Sequence, residues 1–370
     1  MQATNGCSVL SRSRIRLIGC SMAIALALSA LCFASTASAA KPARKAYLAI
    51  GDSLAFGYSQ QLFNENEATG ENPEAFTHGY VDNYLNTLGN GVPLFNDGCP
   101  GETSDSMIGN GPLGTVMGEK LGTTGEAPCA YHYVDGLPLH NEYGENHSQL
   151  ENALEVIKKQ STKTHAVETI SFNIGANDEL HQLHKCEAEV KHEFETEGKS
   201  KYGKTPEEAG KNCILSHIPS LFKHILTNIA GALYVIRQGS AFCVPAATSC
   251  SESKKGVNYT GKIVVQGGYT PFGAVFTPGV ELLPGSNALA GLLNFEEAKT
   301  VAEFGACYAN PQPRFNPAVV GEPAAEPGRL QAFTNMANFT EFAGKKNGPD
   351  IHPTPLGYEE LANIMHADCG

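Results

Sequence analysis

Hydrophobic and polar positions along this 370-residue chain follow two patterns. Short, nearly continuous apolar runs are typical of strands that are buried on both faces, and they occupy residues 46–50, 92–95, 167–174 and 262–267. Longer segments with apolar residues three or four positions apart predict helices, namely Ser148 to Lys159, Ile214 to Arg237 and Asn294 to Phe304. Strands that alternate with helices predict an α/β fold, a parallel sheet covered by helices on both faces.

A serine follows the first apolar run. The sequence Gly-Asp-Ser-Leu at residues 51–54 comes directly after residues 46–50, which predicts a strand, a tight turn and the start of a helix. Ser53 then lies at the carboxyl edge of the sheet, where free N–H groups of the helix can face a developing negative charge. The same residues also fit an ordinary turn in which Asp52 or Ser53 caps a helix.

Three further blocks follow in order along the chain. Gly98–Thr103 comes after the run at 92–95, and Gly175–Asp178 comes after residues 169–174. Both are typical of turns that follow strands. The third block, Asp350–Tyr358, precedes a helix-like segment near the C-terminus and contains His352, a candidate base.

Together the four blocks resemble the GDSL-type esterase/lipase family, also called SGNH hydrolases, in the form of a secreted bacterial-type member. The resemblance spans residues 45–369 and implies a three-layer α/β/α sandwich with a parallel sheet, close to flavodoxin-like. It implies that Ser53 is the nucleophile and His352 the general base. The Ser53 N–H, the Gly101 N–H and the Asn177 side-chain amide are then the oxyanion hole.

Chemistry explains why these residue types are needed. A serine hydroxyl becomes a good nucleophile when an imidazole accepts its proton, and the imidazole can return that proton to the leaving alcohol. Preorganised N–H donors stabilise the charge on the former carbonyl oxygen. The expected reaction is therefore hydrolysis of a carboxylic (acyl) ester through an acyl-enzyme, without a cofactor.

The third catalytic group departs from the family pattern. The family's usual acid lies three residues before the histidine, where this chain has Pro349, and the nearest carboxylate is Asp350. Either Asp350 reaches His352 through an altered turn, or a main-chain carbonyl such as that of Pro349 orients the imidazole. The sequence slightly favours the carbonyl, since a neutral acceptor can also hold the correct tautomer. Otherwise Asp350 is a solvated turn or capping residue.

The N-terminus predicts export. Arg12, Arg14 and Arg16 precede a predominantly apolar stretch from Ile18 to Phe33, and small residues at 37–39 provide a cleavage site. This pattern predicts a signal peptide over residues 1–39, cleaved after residue 39 or 40, and a secreted protein. The apolar stretch is too short to predict a stable transmembrane span.

Cysteine usage agrees with export. Cleavage leaves eight of the eleven cysteines, and an even number in an exported chain favours disulfides. Neighbour pairing is our hypothesis: Cys99 with Cys129, Cys186 with Cys213, Cys243 with Cys250, and Cys307 with Cys369.

The net negative charge of the mature chain limits the kinds of partner it can bind. The mature chain keeps 23 basic and 38 acidic residues, a formal net charge of −15. Such an acidic chain lacks the basic surface that nucleic acids or anionic membranes require. We expect a monomer that acts on a small-molecule or lipid ester, with no nucleic-acid partner and no stable membrane insertion.

A metal site is not predicted. His181, His184 and Cys186 have a spacing that can place ligands on one helical face. However, Cys186 is assigned to a disulfide, and no second pair of ligands completes the set.

One domain is predicted over residues 45–369, because the four blocks must converge to form one site. Long insertions interrupt it near 104–147, 187–212 and 305–348, and the second of these is a charged, disulfide-bracketed excursion. The aromatic residues of the segment 269–272 either line an acyl pocket or pack in the core.

The sequence does not identify the substrate. Lipid esters, phospholipids, acetylated polysaccharides and polyesters present the same carbonyl group to the same residues, and a carboxylic ester of moderate chain length is the working prediction. Two alternatives use the same fold: a catalytically silent secreted binding protein, and an acyltransferase that passes the acyl group to an alcohol or sugar.

Overall fold

A computed structural model describes the greater part of the chain. The described residues are 44–66, 72–108, 137–143, 148–161, 165–238, 257–273, 285–316, 333–336, 341–342, 345–346 and 350–370. The chain divides into two units, Met1–Pro42 and Ala43–Gly370. The first unit lies outside the described residues, so the signal peptide over residues 1–39 stays a prediction, and so does the single domain over 45–369.

The described residues form strands and helices in alternation. The strands are β1 (Arg44–Gly51), β2 (Leu94–Asn96), β3 (His165–Asn173), β4 (Lys262–Gln266), β5 (Cys307–Ala309), β6 (Thr334–Asn335), β7 (Glu341–Phe342), β8 (Lys345–Lys346) and β9 (Asp350–Pro353). The α-helices are α1 (Ser53–Phe56), α2 (Gln60–Asn66), α3 (Tyr80–Leu88), α4 (Ser104–Ile108), α5 (Gln149–Ser161), α6 (Ala176–Glu197), α7 (Pro206–Gln238), α8 (Ser286–Glu303), α9 (Gln312–Phe315) and α10 (Pro355–Cys369). A 3₁₀ helix spans Pro73–Phe76.

Five strands form one parallel sheet in the order β2-β1-β3-β4-β5. This is the flavodoxin-like strand order, in which ligands bind beyond the carboxyl ends of the strands where the order reverses. The reversal lies between β1 and β3, whose last residues, Gly51 and Asn173, are paired in register. The predicted α/β class with a parallel sheet is therefore confirmed, and the turns after β1 and β3 meet at one edge.

Successive residues of β1 pack on opposite faces of the sheet. Ala46, Leu48 and Ile50 belong to a core cluster with residues of α5, α7 and α8, whereas Tyr47 and Ala49 belong to a second cluster with residues of α3 and α10. Burial on both faces explains why this strand is a continuous apolar run rather than an alternating one. Helices on both faces of the sheet make three layers.

All three predicted insertions contain regular structure. Strand β5 and helix α9 lie within the segment 305–348, so its first residues complete the sheet instead of leaving it. The charged segment 187–212 is the end of α6, a short turn and the start of α7. In the segment 104–147, helix α4 and residues 137–143 are described.

Two of the predicted disulfides are present among the described residues. Cys186 is bonded to Cys213 and ties α6 to α7, and Cys307 is bonded to Cys369 and ties β5 to the end of α10. Cys99 is disulfide-bonded as well, while its predicted partner Cys129 lies outside the described residues, as do Cys243 and Cys250. None of the helices in the described part of the chain is long and apolar enough to cross a bilayer.

Candidate active site

Ser53 is the first residue of α1, directly after β1. Gly51 has φ of +150°, and a Cβ atom there would lie 2.2 Å from Asn173 Oδ1 and 2.5 Å from the Asn173 carbonyl oxygen. Only glycine therefore fits between the ends of β1 and β3. The helix α1 has four residues and ends at Gly57 in the left-handed conformation, so the turn that carries Ser53 is short and fixed at both ends.

A buried carboxylate holds this turn. Asp52 caps α1 by accepting a hydrogen bond from the Leu54 N–H (2.9 Å), and the same oxygen accepts one from Asn173 Nδ2 (2.7 Å). Asn173 Oδ1 in turn accepts a hydrogen bond from the Tyr80 hydroxyl (2.8 Å). Burial raises the pKa of Asp52 above its ordinary value, and the hydrogen bonds from Leu54 and Asn173 offset only part of this rise. The Asp52 side chain is thus a structural cap that connects the turn to β3 and α3.

Gln149, which the sequence did not single out, fixes the backbone before Ser53. Its Oε1 accepts a hydrogen bond from the Gly51 N–H (2.8 Å), and its Nε2 donates to the carbonyl oxygens of Gly51 (2.8 Å) and Asp97 (2.7 Å). The Asp97 carboxylate is buried and accepts hydrogen bonds from Asn141 and Asn152. Burial raises the pKa of Asp97 to about 7. No motif predicts a glutamine at this position, because only the tertiary structure brings α5 next to the turn.

His352 lies between Ser53 and Asp350. Its Nε2 is 2.8 Å from Ser53 Oγ, and its Nδ1 is 2.6 Å from Asp350 Oδ1. Asp350 Oδ2 accepts a further hydrogen bond from the Gln60 N–H (3.0 Å). Burial opposes ionisation of Asp350, but the attraction of His352 and the hydrogen bonds from His352 and Gln60 hold its pKa below the usual range. The imidazole therefore faces an ionised carboxylate on one side and a hydroxyl on the other.

This contact corrects the sequence-based preference for a main-chain carbonyl as the group that orients the His352 imidazole. The acceptor at His352 Nδ1 is the carboxylate of Asp350, and Pro349 lies outside the described residues. The reading of Asp350 as a solvated turn residue is also not what is observed, since its side chain is 8% exposed.

Three tyrosines support the segment that carries His352. The Tyr269 hydroxyl donates to the carbonyl oxygen of Ile351 (2.7 Å), and the Tyr58 ring lies 4.7 Å from the imidazole, centre to centre. The Tyr358 hydroxyl donates to the Tyr58 carbonyl oxygen (2.6 Å), which links α10 to the turn after α1. Tyr269 also stacks on Phe315, so the aromatic residue predicted either for the pocket or for the core contributes to both.

The predicted oxyanion donors come from neighbouring turns. Asn177 lies in the first turn of α6, and its Nδ2 donates a hydrogen bond to the carbonyl oxygen of Glu102 (2.8 Å), the residue after Gly101. Gly101 has φ of +83°, and the Cys99 N–H donates to the Gly51 carbonyl oxygen (3.0 Å), which holds this turn beside the turn of Ser53. Asn177, Ser53 and His352 all line one pocket.

Beneath these turns lies a polar cluster that the sequence did not predict. Asp178 accepts hydrogen bonds from the backbone N–H (2.8 Å) and the hydroxyl (2.6 Å) of Ser104, and burial raises its pKa. Asn228 donates to Ser104 Oγ (2.9 Å) and Asp105 Oδ1 (2.8 Å), and Asp105 also pairs with His224. The cluster joins α4, α6 and α7, and so fixes the Gly101 and Asn177 turns relative to each other.

The described residues give little support to a metal centre. Cys186, Cys213 and His217 lie within 4.8 Å of one another, but both sulfur atoms belong to one disulfide and offer no thiolate. His181 and His184 are not part of this group.

Comparisons with known proteins add the following. No family model matches the chain, and no curated protein matches it. Similar solved structures include an extracellular lipase from Streptomyces rimosus, with 14% identity and a TM-score of 0.44 over 88% of this chain and 99% of that chain. A phospholipase A1 from Streptomyces albidoflavus NA297 has 13% identity and a TM-score of 0.43 over 88% and 100%. An acetylxylan esterase from Geobacillus stearothermophilus has 13% identity and a TM-score of 0.41 over 88% and 94%.

Proposed function

We propose that this protein is a secreted serine hydrolase that cleaves carboxylic (acyl) esters through an acyl-enzyme on Ser53. The observation that carries the proposal is the continuous hydrogen-bonded series from Ser53 Oγ through both ring nitrogens of His352 to Asp350 Oδ1, with distances of 2.8 and 2.6 Å. A nucleophile, a base and an acidic group that orients the base are the parts that acyl transfer requires.

In this mechanism Asp350 holds a proton on His352 Nδ1, so that Nε2 is free to accept the Ser53 proton. Ser53 Oγ attacks the ester carbonyl, and the N–H groups of Ser53 and Gly101 and the Asn177 amide stabilise the oxyanion. His352 then gives its proton to the leaving alcohol. Water attacks the acyl-enzyme in the same way, with His352 again as the base, and releases the carboxylic acid.

Export is part of the proposal. The basic and apolar leader of residues 1–39 supports it, and so do the disulfides Cys186–Cys213 and Cys307–Cys369, because such bonds persist in oxidising compartments. The acidic composition disfavours nucleic acid as a partner.

Hydrolysis of p-nitrophenyl esters by the mature, oxidised protein tests the proposal. Ser53→Ala and His352→Ala are each expected to lower kcat by about 10⁴-fold or more while the circular dichroism spectrum stays the same. A fluorophosphonate probe is expected to label wild type on Ser53. A folded protein that neither turns over any ester nor reacts with the probe would instead be a silent binding protein. Product analysis with added alcohols would identify an acyltransferase, because the acyl group would leave as a new ester.

A further inference from the structure

A groove lined by hydrocarbon side chains extends from Ser53 between helices α6, α7 and α8. Ser53, His352 and Asn177 lie at one end of it, so the groove begins where the ester carbonyl would be bound. Its walls are formed mainly by Leu180, Leu183, Ile214, Ile218, Phe272 and Leu289. Its volume is about 140 Å³.

The pattern along both helices gives the groove a direction. Asn177, Leu180 and Leu183 follow one another at intervals of three on α6, so one side of this helix passes from the amide group to the apolar wall. The distance along the helix axis from Asn177 to Leu183 is about 9 Å. On α7, Ile214, Ile218 and other apolar residues follow at helical spacing. The Cys186–Cys213 disulfide joins the helices next to the residues at the far end, Leu183 and Ile214.

Four of the side chains in the groove wall are not part of the packed core. Leu180, Leu183, Ile218 and Leu289 are each half-buried, and none of them belongs to the packed apolar clusters of the described residues. They instead present apolar surface to the groove beside the nucleophile. Surface of this kind next to a reactive centre favours an apolar ligand, because removing it from water is favourable.

We propose that this groove binds the acyl chain of the substrate, and that the natural substrate is a lipid ester with an unbranched hydrocarbon chain. This inference rests on the proposed function and names the substrate class of the same site. An acetylated sugar fits the groove poorly, because its acyl group is a single methyl carbon that leaves the groove empty, and its hydroxyl groups would lose hydrogen bonds to water if the sugar lay against the leucine and isoleucine side chains instead. The polar lining consists of a few groups, such as Glu179, Gln182 and Thr270, which are too few to replace those bonds.

The experiment is a chain-length series of p-nitrophenyl esters, from acetate through butyrate and octanoate to laurate, at concentrations at which the esters are monomeric. Wild type is expected to gain about two- to fourfold in kcat/KM for each added methylene group until the groove is full. Ile218→Trp fills the groove and is expected to lower the ratio of kcat/KM for octanoate to kcat/KM for acetate at least tenfold. Leu215→Trp, an exposed position on the same helix, is the matched control and is expected to leave the series unchanged.

The outcomes separate the two proposals. Ser53-dependent turnover that is highest for acetate, or an octanoate-to-acetate ratio that Ile218→Trp does not change, overturns the acyl groove and leaves the ester hydrolase standing. Absence of turnover and of fluorophosphonate labelling in folded wild type overturns the ester hydrolase itself. If Ile218→Trp does not fold, inhibition of wild-type acetate hydrolysis by alkylboronic acids decides. Octylboronic acid is expected to inhibit at least tenfold more strongly than methylboronic acid, and equal inhibition overturns the groove.

Discussion

Asp350 reaches His352 from only two residues away because its side chain first bonds to the local backbone. Asp350 Oδ1 accepts a hydrogen bond from the His352 N–H (3.1 Å), an arrangement that aspartate forms readily with the residue two positions on. The same oxygen is thereby placed 2.6 Å from Nδ1 of the imidazole. The sequence supplied the residues but not this turn, so the carboxylate and the carbonyl could not be distinguished before the structure.

The role proposed for Asp350 gives a direct prediction. Asp350→Asn keeps the shape of the side chain but removes the charge that stabilises the imidazolium and permits the wrong tautomer, so kcat is expected to fall by about 10²- to 10⁴-fold with little change in KM. Glu359→Gln, an exposed carboxylate nearby in the sequence, is the control. Steady-state kinetics decides: a loss of less than tenfold in Asp350→Asn would return the orienting role to a main-chain carbonyl.

Gln149 gives a second prediction at this scale. Gln149→Met keeps the length of a fully buried side chain but removes the hydrogen bonds of the amide to the Gly51 N–H and to the carbonyl oxygens of Gly51 and Asp97, of which the Gly51 oxygen keeps its bond from the Cys99 N–H. We expect a loss of about 2–4 kcal/mol in the free energy of unfolding and a lower kcat with a nearly unchanged KM, since the glutamine positions Ser53 and does not touch substrate. Urea unfolding and kinetics measure both, with Gln160→Met at the other end of α5 as the control. Unchanged stability would mean that water replaces the amide.

At the scale of elements, continuous apolar runs predicted the strands well. Charged or Gly- and Pro-rich composition predicted the long insertions poorly. Strands β1, β3 and β4 were visible because most of their residues are buried, and β2 was visible because it belongs to a short apolar run. β5 has only three residues, two of them half-buried, and begins shortly after α8. The charged segment 187–212 was predicted as an excursion because its side chains face solvent, yet its backbone is mostly helical and packs through a small cluster around Cys186 and Cys213. Charge reports exposure, and it does not report backbone conformation.

We expect the pair of helices α6 and α7 to be the first part of the protein to open when its disulfide is removed. Without the Cys186–Cys213 disulfide, which closes a separation of 27 residues, we expect a loss of about 3 kcal/mol in the free energy of unfolding. Limited trypsin digestion of Cys186→Ala/Cys213→Ala is expected to cut first at the exposed lysines of the turn, Lys199, Lys201 or Lys204, because the pair opens before the sheet. The Cys307→Ala/Cys369→Ala variant is the comparison and should not favour these sites. First cleavage elsewhere would mean that the pair is held by its packing alone.

At the scale of the whole molecule, the buried carboxyl group of Glu297 connects α8 to Tyr308 of β5. Tyr308 Oη is 2.7 Å from Asn294 Oδ1 and 3.0 Å from Glu297 Oε2, but a hydroxyl group has one hydrogen to donate. Both contacts are hydrogen bonds if Tyr308 donates to Asn294 and a protonated Glu297 donates to Tyr308. Asn294 in turn donates to the carbonyl oxygen of Gly268, a residue of the groove. Burial raises the pKa of Glu297 to about 8, which agrees with a neutral side chain at pH 7.

A raised pKa in the folded state makes stability depend on pH in a defined direction. Above pH 4.5, the ordinary pKa of glutamate, the unfolded chain releases the proton of Glu297 while the folded protein keeps it up to about pH 8. Stability therefore falls as pH rises through this window and is fully present below it. Glu297→Gln stays neutral in both states, so it is expected to gain about 3–4 kcal/mol relative to wild type between pH 5 and pH 8. Urea unfolding at the two pH values measures this difference, with Glu303→Gln, an exposed carboxylate of the same helix, as the control. Parallel pH dependence in wild type and Glu297→Gln would show that Glu297 is ionised in the folded protein, and the proton would then have to be placed elsewhere in the network.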